Sequence, residues 1–556
     1  MPLNLLTDPW IPVRRASGRR ESISPCQITS NPDDPVLAVS HDRPDLAAGL
    51  TEFLVSLYQV CLPPRDERAW DAWRDTPPTP QAVAQALAPY ADAFSLDGDG
   101  PRFLQDLTVA DDPKVKEKPV DALFIDYPGE DADTSGADFF RRITGPMRLC
   151  PACTAAALFT LQAWSPAGGQ GNRTSLRGGG PLSTLVLGAT LWDTVWRNIL
   201  PALLVDTLPG DPGKPREAVF PWLAPTRISG KDGQDTHASD IHPRQTLFGM
   251  PRRIRLLFET GPATPCALCD KKSTAWVERI LAKNYGVNYT GVFDHPLTPY
   301  RQEPGKEPYT VKASPGVTRY RNWIGLTLGA TSETGFMQRP ALAVRHFLDA
   351  RASYEIEEGQ EADRIWAFGF DMDKAKAKAW IESTAPVFIV PEEHRQAYAE
   401  RVRQATDAAG LICANLNSAV RKALVDKGRK IKTDASFTAA VENAFYRSTE
   451  SIFYEWLREL AATAGQEPPA VKDRERFLRD LCAVTYEIFE RYLKSASFDG
   501  ELGAGRDLLA RKARAFKELN NFNTPGNDTL RKLMDLPALE KDMKRPSKTG
   551  RKAKGG

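Results

Sequence analysis

Two Cys-x-x-Cys pairs, Cys150-Pro-Ala-Cys153 and Cys266-Ala-Leu-Cys269, constrain this chain more than any other feature of its sequence. Four thiolates in two such turns form a soft, closed, tetrahedral ligand set, so the spacing predicts one structural zinc ion held by Cys150, Cys153, Cys266 and Cys269. A long insert separates the pairs, and the ion would join two distant segments and add its binding free energy to folding. The remaining cysteines, Cys26, Cys61, Cys413 and Cys482, are read as small buried hydrophobes. Eight cysteines in 556 residues are too few and too unevenly placed for a disulfide framework.

Because Pro265 precedes Cys266, the second pair also matches half of a zinc-deaminase signature, whose other half is an upstream H-x-E. That half is missing, since none of His41, His237, His242, His295, His346 and His394 has Glu two positions later. A site with four cysteine ligands also keeps no open position for an activated water. The chain has no G-x-x-x-x-G-K-[ST] loop, H-E-x-x-H helix or G-x-S-x-G elbow. The neighbours His41-Asp42 and Asp294-His295 are read as turn or surface pairs rather than proton-transfer couples. The expectation is a protein that is not an enzyme.

The length exceeds what one core usually supports, and the expected division is 1–388, an irregular α+β domain with the zinc knuckles, 389–535, a four-helix bundle, and 536–556, a basic flexible tail. In the first part, short apolar runs (PVLAV, STLVLG, RIRLLF) predict strands and Asp45 to Val60 predicts a helix. The segments Ala110 to Lys118, Gly129 to Gly136 and Ser229 to Thr236 read as exposed loops. After about Pro391, apolar residues recur at helical spacing. One stripe is Val402, Ala405, Ala409, Ile412, Leu416, Ala419 and Ala423; a second runs from Phe437 through Val441, Phe445 and Ile452 to Trp456; a third from Phe477 through Leu481, Val484 and Ile488 to Tyr492; a fourth from Leu508 to Leu519. No apolar stretch is long enough to span a bilayer, and the N-terminus lacks the order of a secretion signal, so a cytoplasmic location is expected. A formal net charge of +2 neither demands nor excludes nucleic acid.

The segment Ser165 to Pro181, SPAGGQGNRTSLRGGGP, concentrates backbone freedom and positive charge. Its glycines let the main chain approach a groove or phosphate closely, and Arg173 and Arg177 are candidates to engage backbone phosphates.

Taken in order, NLLTDPWIPV at the N-terminus, the C-x-x-C pair, SPAGGQGNRTSLRGGGPLSTLV and the terminal helices resemble the CasA family, the large subunit of the type I-E CRISPR Cascade surveillance complex. The resemblance implies a subunit near the 5′ handle of the crRNA that recognises the protospacer-adjacent motif (PAM) in double-stranded target DNA. It would help initiate unwinding and R-loop formation, sit among the other Cascade subunits, and offer a platform to a recruited helicase-nuclease. Base pairing by the guide then supplies the remaining specificity. By the same resemblance, PAM contacts fall on Gly168, Gly169, Gln170 and Gly171, and a minor-groove contact on Lys283 or Asn284. A strand-separating wedge falls on Asp373, Lys374 and Ala375, for which an ordinary helix start is the bland alternative. A loop docking on crRNA and a neighbouring subunit falls on Phe139, Phe140 and Arg141. Two rivals are a zinc-dependent nucleic-acid-modifying enzyme and a scaffold that binds only proteins.

Overall fold

The protein is described from a computed structural model over residues 2–127, 147–230, 233–332, 334–352, 362–373, 376–424, 435–464, 469–495 and 504–539. It divides into two compact units, one of residues 1–318 and 322–389, the other of residues 319–321 and 390–556. No helix among the described residues is long and apolar enough to cross a membrane.

In the first unit, strands β1 (Ile11–Arg15), β2 (Arg20–Ile23) and β3 (Val36–Val39) form an antiparallel sheet with β1 central. Ile11 and Val13 are buried while Arg14 is exposed, the alternation a one-sided sheet requires. Helix α1 (Pro44–Cys61) starts on a proline, whose missing N–H costs nothing at a first turn, and is buried along almost its whole length. Its Phe53 is the hub of the core: edge-on contacts at centroid distances of 5.3 Å to Trp10, 5.8 Å to Phe103, 5.5 Å to Phe159 and 6.4 Å to Phe248 draw four chain segments onto one ring.

Strand β4 (Lys116–Pro119) is followed by helix α2 (Pro151–Trp164), strand β5 (Ser183–Leu187), the long hairpin β6 (Arg253–Pro265) and β7 (Lys272–Lys283), and a second hairpin, β8 (Asp363–Asp373) and β9 (Lys376–Val387). β4 lies beside β7 at the edge of a three-stranded sheet, and β8 pairs with both β9 and β5 in another. The strand β4 corrects the expectation of a loop over Ala110 to Lys118. Its Lys-Glu-Lys-Pro sequence carries no apolar alternation because it forms an edge, where charge and proline keep further strands from adding. Ser229 to Thr236 is irregular apart from a two-residue strand at Asp235–Thr236, with 231 and 232 outside the described residues. Gly129 to Gly136 also lies outside them.

The second unit is helical where described. Helix α3 (Glu392–Leu424) buries all seven residues of its expected stripe, with alanines at 405, 409, 419 and 423 admitting close neighbours. It packs against α4 (Ala435–Ser448), α5 (Glu450–Ala462), α6 (Val471–Ser495), α7 (Ala504–Phe522) and α8 (Asp528–Leu533). The stripe from Phe437 to Trp456 is two helices rather than one. They break at Thr449, whose hydroxyl donates to the Phe445 carbonyl at 2.8 Å and accepts from Tyr320 Oη at 2.9 Å. Tyr320 comes from the three-residue segment that joins this unit from mid-chain, and it stacks on Phe453 at 4.3 Å. Leu509, in the fourth stripe, is exposed, whereas Ala515 and Leu519 are buried.

Helix α1 faces α2 at Gly49, where a Cβ would lie 2.3 Å from Thr160 Oγ1 and no nearer than 3.5 Å to anything else. Thr160 Oγ1 is buried without a hydrogen-bond partner. Gly49→Ala is therefore expected to destabilise the protein by ~1–3 kcal/mol through overpacking. The double variant Gly49→Ala/Thr160→Ala should recover wild-type stability or exceed it, because alanine is the better helix former by ~1 kcal/mol. Denaturant unfolding midpoints check this; a double variant as unstable as the single one contradicts it.

Candidate metal centre and nucleic-acid interface

The two cysteine pairs meet. Cys150 precedes helix α2 and Cys153 sits in its first turn, entered through Pro151. Cys266 and Cys269 occupy the turn between β6 and β7, where Pro265 pairs with Lys272. That turn is closed by Cys266 N–H donating to the Lys271 carbonyl at 3.0 Å and Asp270 N–H to the Cys266 carbonyl at 3.0 Å. It is tied to the helix entrance by Ala267 N–H on the Arg148 carbonyl at 2.9 Å and by Cys150 N–H on Cys266 Sγ at 3.3 Å. All four sulfurs lie within 4.8 Å of one another, and Cys150 Sγ is 3.8 Å from Cys269 Sγ. A tetrahedron with metal–sulfur bonds of about 2.3 Å has edges of about 3.8 Å, so the residues fit a single ion of zinc's size. Cys150, Cys153 and Cys266 are buried and Cys269 is half-buried. The four thiols share protons: hydrogen bonds from Cys150 and Cys153 pull the Cys266 and Cys269 thiols down, while Cys150 and Cys153 as the donors are pushed up.

His41, half-buried in the turn that leads into α1, stands beside this cluster. Its Nδ1 accepts the Arg43 N–H at 3.1 Å, which leaves the ring proton on Nε2, and Nε2 lies 3.8 Å from Cys153 Sγ. Burial pulls the imidazole below its usual range, so the neutral ring faces the sulfur as a donor. His295, by contrast, is fully buried, its Nδ1 accepting the Leu297 N–H at 3.2 Å, which corrects its reading as a turn or surface residue. No sequence signal pointed to either. Cys26, Cys61, Cys413 and Cys482 are all buried, and burial pushes their thiols up.

The glycine-rich segment leaves the end of α2 at Ser165 and turns before entering β5. Gly169 and Gln170 are exposed, with Gly168 and Gly171 half-buried. Gly171 has φ +77°, and a Cβ there would lie 2.9 Å from Asn284 Cβ. The loop is thereby joined to the end of β7: Asn284 Nδ2 donates to the Gln170 carbonyl at 2.8 Å and Tyr285 N–H to the Gly171 carbonyl at 2.7 Å. Asn284 is exposed, whereas the neighbouring Lys283 ammonium is held by Asp112 at 2.9 Å. Further along, Gly180 lies against Met372 and the Phe370 carbonyl of β8. One segment thus touches both the 283–285 corner and the β8–β9 hairpin, elements far apart in sequence.

In that hairpin Asp373 pairs in register with Lys376, and Lys378 Nζ lies 3.3 Å from its carboxylate, so the helix-start alternative for DMDKAKAKAW does not hold. Lys374 and Ala375 lie outside the described residues, as do Phe139, Phe140 and Arg141.

The two arginines of the glycine segment point into the protein. Arg173 donates to Ser229 Oγ at 2.7 Å and to its carbonyl at 2.6 Å, with its guanidinium 5.8 Å from the Tyr285 ring. Arg177 is only 3% exposed. It pairs with Glu52 of α1 at 2.6 Å, donates to Ser183 Oγ at 2.8 Å, and Ser183 in turn donates to Glu52 at 2.7 Å. This overturns the expected phosphate contact of Arg177, because a guanidinium enclosed with its own carboxylate cannot reach a ligand outside. Glu52→Ala should cost ~3–5 kcal/mol by leaving Arg177 buried without countercharge. Adding Arg177→Met should give much of that back, and a denaturation double-mutant cycle showing simple additivity would count against a coupled pair.

With this geometry in view, comparison with known proteins gives a consistent picture. The family model described as CRISPR-associated protein Cse1 matches residues 4–487. Thermobifida fusca Cse1 superposes with a TM-score of 0.68 at 19% identity, covering 96% of this chain and 98% of that one. Thermus thermophilus CasA (Cse1) does so with a TM-score of 0.66 at 17% identity, covering 94% of this chain and 99% of that one. A chain of a CRISPR RNA-guided surveillance complex gives a TM-score of 0.61 at 16% identity, covering 93% of this chain and 99% of that one. The structural likenesses carry the fold, the family match carries the sequence, and the chain belongs to the CRISPR-associated Cse1 (CasA) family.

Proposed function

We propose that this chain is the large, non-catalytic subunit of an RNA-guided CRISPR surveillance complex, that it reads the PAM in double-stranded DNA, and that it helps open the duplex for R-loop formation. The observation that carries this reading is the junction of the glycine loop with Asn284. An exposed backbone turn at Gly169 and Gln170 is braced from beneath by Asn284 and Tyr285, which is the rigid, side-chain-poor edge that a narrow groove admits. Gly168, Gly169, Gln170 and Gly171 form that edge. Asn284, exposed beside it, takes the minor-groove role over Lys283, whose charge is already engaged by Asp112. Asp373, Lys374 and Ala375 act as the wedge below the motif, where an inserted element must part the strands. Guide pairing then supplies the sequence specificity.

Further parts of the reading follow the family. Phe139, Phe140 and Arg141 dock on crRNA and a neighbouring subunit, residues 389–535 work as a helical unit of six described helices, in place of the expected four, among the Cascade subunits, and the surface they complete receives the helicase-nuclease. The tail, 536–556, adds diffuse attraction to phosphate. The four cysteines hold one structural zinc, with His41 as a donor to Cys153; a closed four-sulfur shell leaves no position for an activated water, which supports a role without catalysis.

Elemental analysis should find one zinc per chain. Cys150→Ser should lower that content and the melting temperature, and a chelator should lower the melting temperature of wild type toward that of the variant. Zinc-free protein of unchanged stability contradicts the assignment.

For function, the assembled complex is titrated at one fixed salt concentration with a PAM-bearing duplex, a PAM-less duplex and single-stranded target. Gly169→Val, which forces a β-branched residue to φ +82°, and Lys374→Asp should each weaken capture of the PAM-bearing duplex about tenfold or more, ~1.4 kcal/mol. Single-stranded target, held by the guide, should be affected far less. Equal losses on all three substrates would remove the PAM-reading role from these residues.

A further inference from the structure

On the outer face of the β1–β2–β3 sheet two arginines stand directly opposite one another. Arg14 of β1 pairs in register with Arg20 of β2, and both side chains are exposed. The alternation that buries Ile11, Val13 and Arg15 sends Pro12, Arg14, Arg20 and Ser22 to the other side. Ala38 of β3, opposite Arg14 on its other flank, adds no charge. Cα atoms of such facing residues are about 5 Å apart, so the two guanidiniums share one patch of surface. Like charges placed this way repel and weaken a sheet. Glu21 does not relieve them, since it is taken by Arg15 and Arg19. Among the described residues no carboxylate pairs with Arg14 or Arg20.

The same face receives a third cation from the cysteine turn. Lys271 follows the second cysteine pair, is exposed, and donates from its ammonium to Ser22 Oγ at 2.6 Å, a contact between residues 249 apart in sequence. Its carbonyl is the acceptor that closes the turn on Cys266 N–H, so the four-cysteine cluster sets where this amine stands. The Ser22 hydroxyl is neutral, and among the described residues no carboxylate pairs with Lys271. Asp270 is the one acidic residue of the turn from Cys266 to Lys272. Three cations from two distant segments thus meet on one exposed surface, and no paired carboxylate offsets their repulsion. From this cluster α2 runs 14 residues to the glycine loop, a length of about 21 Å, which is about six base pairs of duplex at 3.4 Å each.

We propose that this face is a contact surface for the phosphate backbone of duplex DNA, with Arg14 and Arg20 at its centre and Lys271 at its edge. The proposal rests on the reading of the glycine loop as the element that meets the motif, and it places a second contact on the flanking duplex, about six base pairs away. A polyanion fits because forked guanidiniums side by side engage phosphate oxygens, and their mutual repulsion falls once the anion is bound. Duplex DNA is favoured over the guide because one helix, of fixed length, separates this surface from the loop. Phosphates carry no base identity, so the surface adds affinity and fixes orientation for any duplex, while the loop edge discriminates the motif.

The assembled complex is titrated across a salt series with PAM-bearing and PAM-less duplexes, each made with a long flank outside the target or with that flank trimmed back to the position of the motif. Arg14→Gln/Arg20→Gln should lower the slope of log affinity against log salt by about one to two on both long-flank duplexes, the share of one or two phosphates, and leave it unchanged on the trimmed ones. Arg14→Lys/Arg20→Lys should keep the wild-type slope. The glutamine variant should also melt no lower than wild type, because it removes a repulsion; a lower melting temperature contradicts the unrelieved pair. If that variant does not fold, Lys271→Gln on the other segment carries the test, with a slope on long-flank duplexes lower by about one. Unchanged slopes in the folded variants overturn the surface, and equal losses on long and trimmed duplexes overturn its placement on the flank. Loss of the guide RNA or of a neighbouring subunit during assembly, with DNA slopes unchanged, assigns the face to that partner and overturns the DNA contact. Failure of the underlying reading is separate: Gly169→Val would then leave discrimination between PAM-bearing and PAM-less duplexes intact, whatever the salt slopes of the arginine variants.

Discussion

The enclosed pair of Arg177 and Glu52 is the interaction on which the rest of the first unit depends. Glu52 belongs to the helix whose Phe53 organises the core, Arg177 belongs to the glycine-rich segment, and Ser183, bonded to both, begins the strand that carries the β8–β9 hairpin. A segment with this many glycines would otherwise sample many conformations. Pinned at Arg177 by a charge pair out of water, braced at its other end by Arg252, which donates to Asn172 Oδ1, and by Asn284, it presents one turn to the outside. Rigid support beneath a bare backbone edge is what lets such an edge discriminate between partners, because the ordering cost is met on folding rather than on binding.

The four-cysteine cluster performs a similar task elsewhere. It clamps the start of α2 to the far turn of the β6–β7 hairpin. The opposite ends of those same elements, Ser165 and Asn284, flank the glycine loop. The metal end and the loop end are thus the two ends of one helix and one hairpin, and fixing the first limits the freedom of the second.

What could be read from the sequence follows from how local each signal is. The cysteine pairs were legible because ligand chemistry is encoded in a four-residue spacing, and the stripe from Val402 to Ala423 because a long helix repeats its pattern many times. Arg177 was misread since composition reports charge but not burial, and Glu52 lies 125 residues away. His41, Asp112 and Arg252 were missed for the same reason, each being defined by a partner brought in by tertiary folding. Strand β4 was hidden because an edge strand shows charge where an inner strand shows alternation. The break at Thr449 was hidden by apolar spacing that continues through it, since periodicity records which face is buried and not whether the backbone is continuous. The meeting of the loop with both Asn284 and Met372 has no sequence signature at all; the resemblance to the CasA family named the elements, and packing joined them.

If the exposed turn at Gly169 and Gln170 lies in the minor groove at the motif, a reagent carried on that turn must act there. Seven of the eight native cysteines are buried and Cys269 sits in the cluster, so Gln170→Cys gives one reactive exposed thiol. Tethering an iron–EDTA cleavage reagent there, in the assembled complex on a PAM-bearing duplex, maps where the turn rests. Cuts confined to a few nucleotides centred on the motif, on both strands and offset across the minor groove, are expected. Cuts spread along the duplex, or centred away from the motif, would contradict that placement of the turn.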